Sequence, residues 1–230
     1  MYARSKNTLS PSGRAKSLRN GPNLEYLFKL TLVWVIMRIM PHIIQTSIVK
    51  IHKVKEFKMN ETINTMLTRR SIRSFEDKQV NEADIEQIVE AGLYAPSGMN
   101  CQTPIIIAIT DKKTRKEIAE QNAKIMGKEN CDPFYGAPLV LLVIAEKSPL
   151  SVYDGSCAIE NMMNAAHSLG LGSCWIHRAK EEIESDWGKS LLKKLGINNE
   201  CVGIGHVAVG YVKGEYPDVK PRKSNRYYRI

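Results

Sequence analysis

Three arginines and a serine fall within five residues at Arg69-Arg70-Ser71-Ile72-Arg73, followed by Ser74 and Phe75. A guanidinium presents a planar fork of donors that matches phosphate geometry and stays charged when partly buried. A hydroxyl set between two such forks adds a donor for a phosphate or polyol oxygen. Taken alone, the run also fits a solvated basic face. A second polar cluster is Ala95-Pro96-Ser97-Gly98-Met99-Asn100-Cys101-Gln102-Thr103-Pro104. Two prolines fix its ends, and the hydroxyl and amides of Ser97, Asn100 and Gln102 suit in-plane bonds to the edge of a heteroaromatic ring. An ordinary helix-to-strand turn would read the same way.

Other chemistries lack their residues. His167, His177 and His206 are scattered and form no H-x-x-x-H or H-E-x-x-H pattern, so no metal site is expected. His167 and His206 read as hydrogen-bonded core histidines. No serine lies in a G-x-S-x-G elbow, which argues against a hydrolase. No G-x-G-x-x-G fingerprint marks a Rossmann dinucleotide site. The five cysteines, at 101, 131, 157, 174 and 201, are odd in number and contain no C-x-x-C pair. They point to free thiols in a reducing compartment rather than a disulfide framework.

The elements that must position these clusters follow from periodicity. Residues 60–69 predict a helix with Ile63, Met66 and Leu67 on one face and the arginine run at its C-terminal end. Asn81 predicts the cap of an acid-led helix that stops near Ala95-Pro96. Thr103–Thr110 reads as a buried strand, Asp111–Met126 as a helix capped by Asp111, and Ala137–Ala145 as a strand covered on both faces. Tyr153–Leu169 is apolar most of the way round and reads as the central helix, with Met162 and Met163 as core packing. Gly172–His177 follows as a loop entering a short strand. Ala179–Leu195 reads as one helix ended by Gly196, and Cys201–Val212 as a core strand. Lys213–Ile230, with Pro217 and Pro221, should run extended over a surface. Trp187 and Tyr94 read as core aromatics that could line a pocket.

Charge divides the chain. The net charge of +9 comes from residues 1–58, which hold eleven Lys and Arg against Glu25 and Glu56; residues 59–230 carry 22 basic and 22 acidic side chains. The neutral part has no general attraction to nucleic acid. Within 1–58 the longest uncharged apolar run, Leu30–Met37, is far shorter than the roughly 20 residues a bilayer demands. Three readings stay open for 1–58: a basic targeting presequence, an interfacial amphipathic anchor around Phe28 and Trp34, or a leader foreign to the natural product with Met59 as its start. The last is preferred. A nucleic-acid or membrane-surface adaptor would have to use this segment.

The two polar clusters, their order and spacing, and Lys220-Pro221-Arg222 near the end resemble the FMN-dependent nitroreductase family over residues 59–230. The resemblance implies an α+β fold with a central, mostly antiparallel sheet flanked by helices. It implies a homodimer with FMN in two sites at the subunit interface. Position by position, Arg69, Arg70, Ser71 and Arg73 resemble the first flavin-binding segment, with Arg69 on the phosphate. Pro96, Ser97, Gly98 and Asn100, with Gln102 behind them, resemble the segment that reaches FMN from the other subunit. Trp175, Ile176 and His177 resemble the stretch lying against the isoalloxazine, where a backbone N–H faces flavin N5. Lys220 and Arg222 resemble the late basic pair closing the phosphate site. Two departures are Cys101 and the lack of an acidic residue in Trp175–Arg178. The implied activity is ping-pong transfer of a hydride from NADH or NADPH through the flavin to a nitroaromatic, quinone or related acceptor, with no catalytic side chain. A flavin carrier or sensor without turnover is the alternative, and a cytoplasmic location is expected unless 1–58 is a targeting segment.

Overall fold

The computed structural model describes residues 59–230, together with positions 28, 29 and 31. Apart from those three positions, the readings of 1–58 lie outside the described residues. Residues 59–230 form one compact unit.

The unit is built as helices on both faces of one sheet. In chain order its elements are α1 (Glu61–Thr68), α2 (Glu82–Leu93), a 3-10 turn (Gly98–Asn100), β1 (Pro104–Ile109), α3 (Lys112–Met126) and β2 (Leu139–Glu146). Then come α4 (Ser151–Ser168), β3 (Gly172–Ile176), α5 (Ala179–Glu184), α6 (Asp186–Lys194) and β4 (Cys201–Gly210). The four strands lie in the order β1-β2-β4-β3, every neighbouring pair antiparallel. A bulge shifts the β2–β4 register between Val143 and Ile144.

β2 reads without alternation because both of its faces are covered. Val140, Leu142 and Ile144 join the core formed with Ile118 of α3, Ile183 of α5 and Phe134. Leu139, Leu141 and Val143 join the core formed with Ile88 of α2 and with Ile159, Met162 and Ala166 of α4. Each fully buried aliphatic side chain contributes about 1.5–3 kcal/mol. β3 is an outer strand, and its free edge is partly taken up by the arginine run. Ser71 forms a parallel bridge with Ser173, and the Ile72 N–H donates to the Ser173 carbonyl at 2.9 Å.

Several local expectations hold and several need correcting. The Asp111 carboxylate caps α3 by accepting from the Thr114 N–H at 2.8 Å, and this bond draws its pKa below 3.8. Asn81 stands at the start of α2, but its amide donates to Asp84 instead of capping the helix. Asn60, which was not singled out, does cap α1, accepting from the Thr62 and Ile63 N–H groups. Of the stretch read as a loop entering a short strand at Gly172–His177, all but His177 is itself β3. The helix expected over Ala179–Leu195 breaks in two at Ser185, which has an extended backbone and whose Oγ accepts from the Gly188 N–H at 3.2 Å. A serine offering the backbone a local side-chain bond is the physical reason for the break. A Cβ at position 188 would collide with the backbone of Glu182 and Ile183, so only glycine lets α6 abut α5 this closely.

Candidate functional site

Arg69 follows the last turn of α1, and its guanidinium is the most informative group in the molecule. Its Nε and Nη1 are buried and have no hydrogen-bond partner. Burying donors of a charged group unpaired is costly, so the arrangement implies an anion that supplies the acceptors. Arg70 is differently employed: its Nη1 donates to the Leu67 carbonyl at 2.9 Å and the Arg69 carbonyl at 2.6 Å, closing the end of α1. Arg73 is exposed. Its Nη1 reaches the Ser71 carbonyl at 3.4 Å. Burial pushes the nearby Cys174 thiol up, against the opposing pull of Arg73, Ser71 and Arg69.

His167, in the last turn of α4, ties this segment down through a 2.9 Å contact with the Thr68 hydroxyl. It is half-buried rather than a core residue, because its ring turns to Thr68 of α1 while its neighbour Ala166 takes the place against the sheet. Burial, then the charges of Arg69 and Arg70, holds its pKa below 6.5.

The second cluster sits at the opposite end of the same helix. Asp154, in the first turn of α4 and buried, accepts from the Gly98 N–H at 3.0 Å and from the Thr103 hydroxyl at 3.3 Å. Ser97 Oγ accepts from the Gln102 N–H at 2.9 Å, and the Gln102 amide donates to Asn100 at 3.2 Å. Met99, Asn100 and Gln102 all have positive φ, at 51°, 56° and 51°. Three non-glycine residues in the left-handed region within four positions is stored strain of a kind that collects at binding sites. Pro96 and Asn100 are exposed, and Ser97 and Gly98 are half-buried. Thirteen helical steps lead from Asp154 to His167, a span of about 20 Å. Within one chain, therefore, the two clusters are held apart by a rigid rod.

β3 supplies the third part. Trp175 is 36% exposed on the free strand and lays its indole over Gly205, where a Cβ would stand 2.4 Å from the indole nitrogen. Ile176 is buried, and His177 is exposed just past the strand. Behind them lies a buried polar group that sequence reasoning missed, apart from His206 as a core histidine. Asn122 of α3, Glu182 of α5 and His206 of β4 are all fully buried. His206 Nε2 meets the Glu182 carboxylate at 2.7 Å, and its Nδ1 donates to the Ile176 carbonyl at 3.3 Å. The Asn122 amide donates to the His177 carbonyl at 3.0 Å and also to Glu182, while its Oδ1 accepts from Arg178 Nε at 2.9 Å. The available signal was a polar residue on the inward stripe of a helix, as with Asn122 beside Ile118 and Ala119, and Asp154 in α4.

Lys220 and Arg222 lie on the exposed stretch after β4. Among the described residues no group of His, Cys, Asp and Glu could hold a metal ion, and no helix is long and apolar enough to cross a membrane.

The sequence model of the nitroreductase family matches residues 66–211, from α1 to the residue after β4. The chain belongs to the nitroreductase family. It is similar to the FMN reductase [NAD(P)H] of Bacillus subtilis, 42% identical over 158 residues that cover 68% of this chain and 56% of that one. It is also similar to the oxygen-insensitive NADPH nitroreductase of Salmonella typhimurium, 28% identical over 71% of this chain and 70% of that one. Among solved structures, the FMN-bound nitroreductase of Bacteroides fragilis superposes with a TM-score of 0.69 at 32% identity, covering 74% of this chain and 99% of that chain.

Proposed function

We propose that this member of the nitroreductase family is an NAD(P)H-dependent FMN oxidoreductase that acts on nitroaromatic, quinone or related acceptors by a ping-pong cycle. The observation that carries the reading is the Arg69 guanidinium, whose Nε and Nη1 are buried without partners beside the open edge of β3. A phosphate monoester supplies the oxygens those donors lack. When bound, FMN supplies two-electron chemistry, accepting a hydride from NADH or NADPH and handing the two electrons to an acceptor.

The chain's own residues then have separable tasks. Arg69 fixes the phosphate end. Arg73, exposed beside it, places a cation toward the ring system, which favours the reduced, more negative cofactor. The 97–102 loop offers Ser97, Asn100 and Gln102 to a ring edge, and Trp175 forms a wall. Donor and acceptor use one ring face in turn, a proximity effect that needs no protein nucleophile.

The separation along α4 supports a site assembled from two copies of the chain. One copy contributes Arg69 and β3, the other contributes the 97–102 loop, and the basic pair Lys220 and Arg222 closes the phosphate end. An open groove of about 410 Å³ between α1, α2 and α4, together with the exposed Ile63, Met66 and Leu67 of α1, gives the second copy a surface to cover. We place the flavin domain at residues 59–230.

The deciding experiment is an absorbance spectrum of purified protein with added FMN, before and after anaerobic NADH or NADPH. A flavin band near about 450 nm that bleaches supports the reading. No retained flavin overturns it, and a band that persists makes the protein a flavin carrier instead. The shared site is tested by mixing an Arg69→Ala chain with an Asp154→Ala chain. Random pairing restores roughly a quarter of the sites if each is shared between copies, and none if each lies within one chain.

A further inference from the structure

From the buried cluster behind β3 we infer that Asn122, Glu182 and His206 are positioning residues that aim the backbone N–H groups of His177 and Arg178 at the open edge where the cofactor lies. This inference rests on the flavin reading given above.

Strand geometry fixes the directions. The Ser173 carbonyl faces outward, since it accepts from the Ile72 N–H. Alternation along β3 therefore turns Ile176 inward to its partner on β4, which is His206. The Ile176 carbonyl can only accept, so His206 Nδ1 carries the hydrogen facing it. The carbonyl of Ile176 and the N–H of His177 belong to one trans peptide and point in opposite directions. Holding the first inward holds the second outward.

One residue on, the chain turns. Arg178 sits at φ 80°, a conformation that costs a non-glycine residue about 1–3 kcal/mol. Asn122 makes that turn hold. Both hydrogens of its amide are used, one on the His177 carbonyl and one on Glu182, and its oxygen accepts from the Arg178 side chain. With the His177 carbonyl drawn back to Asn122, the Arg178 N–H is directed away from it. Among the described residues, neither the His177 nor the Arg178 N–H has a partner within the chain.

The interior could have filled this space with aliphatic side chains. Three fully buried polar groups, saturating one another and two consecutive carbonyls, specify instead the orientation of a particular peptide. Glu182 closes the cluster from α5, bonded on one oxygen by Asn122 and on the other by His206.

The test uses two replacements of His206 that divide its two bonds. His206→Asn places an amide N–H where Nδ1 stands and keeps the bond to Ile176. His206→Gln reaches toward Glu182 and gives up the bond to Ile176. Each is made alone and with Glu182→Gln, so that no unpaired charge is left buried. Two quantities are read: amide hydrogen exchange at His177 and Arg178 in the FMN-loaded protein, where the cofactor supplies their acceptor, and the rate of anaerobic reduction of bound FMN by NADH or NADPH.

The expected result is that His206→Asn stays within about threefold of the unchanged protein in both, while His206→Gln exchanges faster and is reduced about 10- to 100-fold more slowly. FMN affinity should stay within about threefold in both, since Arg69 is untouched. Equal losses in the two variants, or none in either, overturn the inference. Where the His206 variants do not fold, Asn122→Ala keeps the His206–Glu182 pair and must show the same slow reduction with retained FMN. Unchanged protein that binds no FMN overturns the functional reading itself, whereas flavin-loaded variants indistinguishable from it overturn only this one.

Discussion

The two ends of α4 hold their attached segments by opposite means. At the His167 end, Arg69–Arg73 is hydrogen-bonded into the edge of the sheet, Arg70 closes the helix before it, and Ile72 and Phe75 are buried. At the Asp154 end, a largely exposed loop with three strained residues hangs on one carboxylate. The first arrangement suits an immobile anchor for a charge. The second suits a surface that adapts to a ring and to successive occupants. Charge separates them as well, because cations gather at the anchor and the loop offers only neutral donors and acceptors.

The largest effect should come from the anchor. Arg69→Ala should weaken FMN binding by about 1.5–3 kcal/mol, roughly 10- to 150-fold. Fluorescence titration of FMN reads this directly, and unchanged affinity would remove the phosphate assignment. Arg73→Ala, at an exposed position, should cost less in binding and more in the midpoint potential of the bound cofactor.

At the other end, Asp154→Ala should release the 97–103 loop and lower stability by about 1–3 kcal/mol, since two bonds to a buried carboxylate are lost. Asp154→Asn keeps an acceptor for the Gly98 N–H and should lie near the unchanged protein in a denaturant melt. If the two variants melt alike, the loop does not depend on that carboxylate.

Gly205→Ala probes the wall between the ends. The added methyl would meet the Trp175 indole, which can swing toward solvent, so a stability cost of about 1 kcal/mol is expected together with a red-shifted tryptophan emission. A variant with unaltered emission would mean that the indole is not seated there.

The smallest effect concerns protons. Burial and the charges of Arg69 and Arg70 keep His167 below 6.5. A depressed pKa means that the folded chain holds fewer protons than the unfolded one. The stability linked to His167 is thus intact above pH 6.5 and is lost as pH falls below that value toward the lowered one. An anion on Arg69 cancels part of the repulsion, so inorganic phosphate or FMN should raise the His167 titration. The ring C2–H resonance in proton NMR follows it, and a titration indifferent to phosphate would separate His167 from the anion site.

Sequence patterns revealed the parts whose signal is local. The arginine run, the Asp111 cap and the unbroken apolar run of β2 all announce themselves within ten residues. What escaped depends on contacts between residues distant in the chain. Asp154 lies 56 residues from the Gly98 N–H it accepts from, and Asn122 lies 60 from Glu182. Periodicity places such a polar residue on the inward stripe of its helix, but its partner, and so its role, shows only in the folded chain. The break at Ser185 was hidden for a different reason: a serine inside a helical pattern can point to solvent or compete for the backbone, and only the close approach of Gly188 to α5 decides it.

The length of α4 has a consequence for how the protein behaves on dilution. If the site is shared between copies as proposed, a rod that keeps its two halves about 20 Å apart would make cofactor retention depend on chain concentration. In the proposed two-copy arrangement, separation of the copies would dismantle both sites in one event. The yellow colour of the protein would then serve as a gauge of its own assembly, fading as the solution thins and returning when FMN and a second chain arrive together.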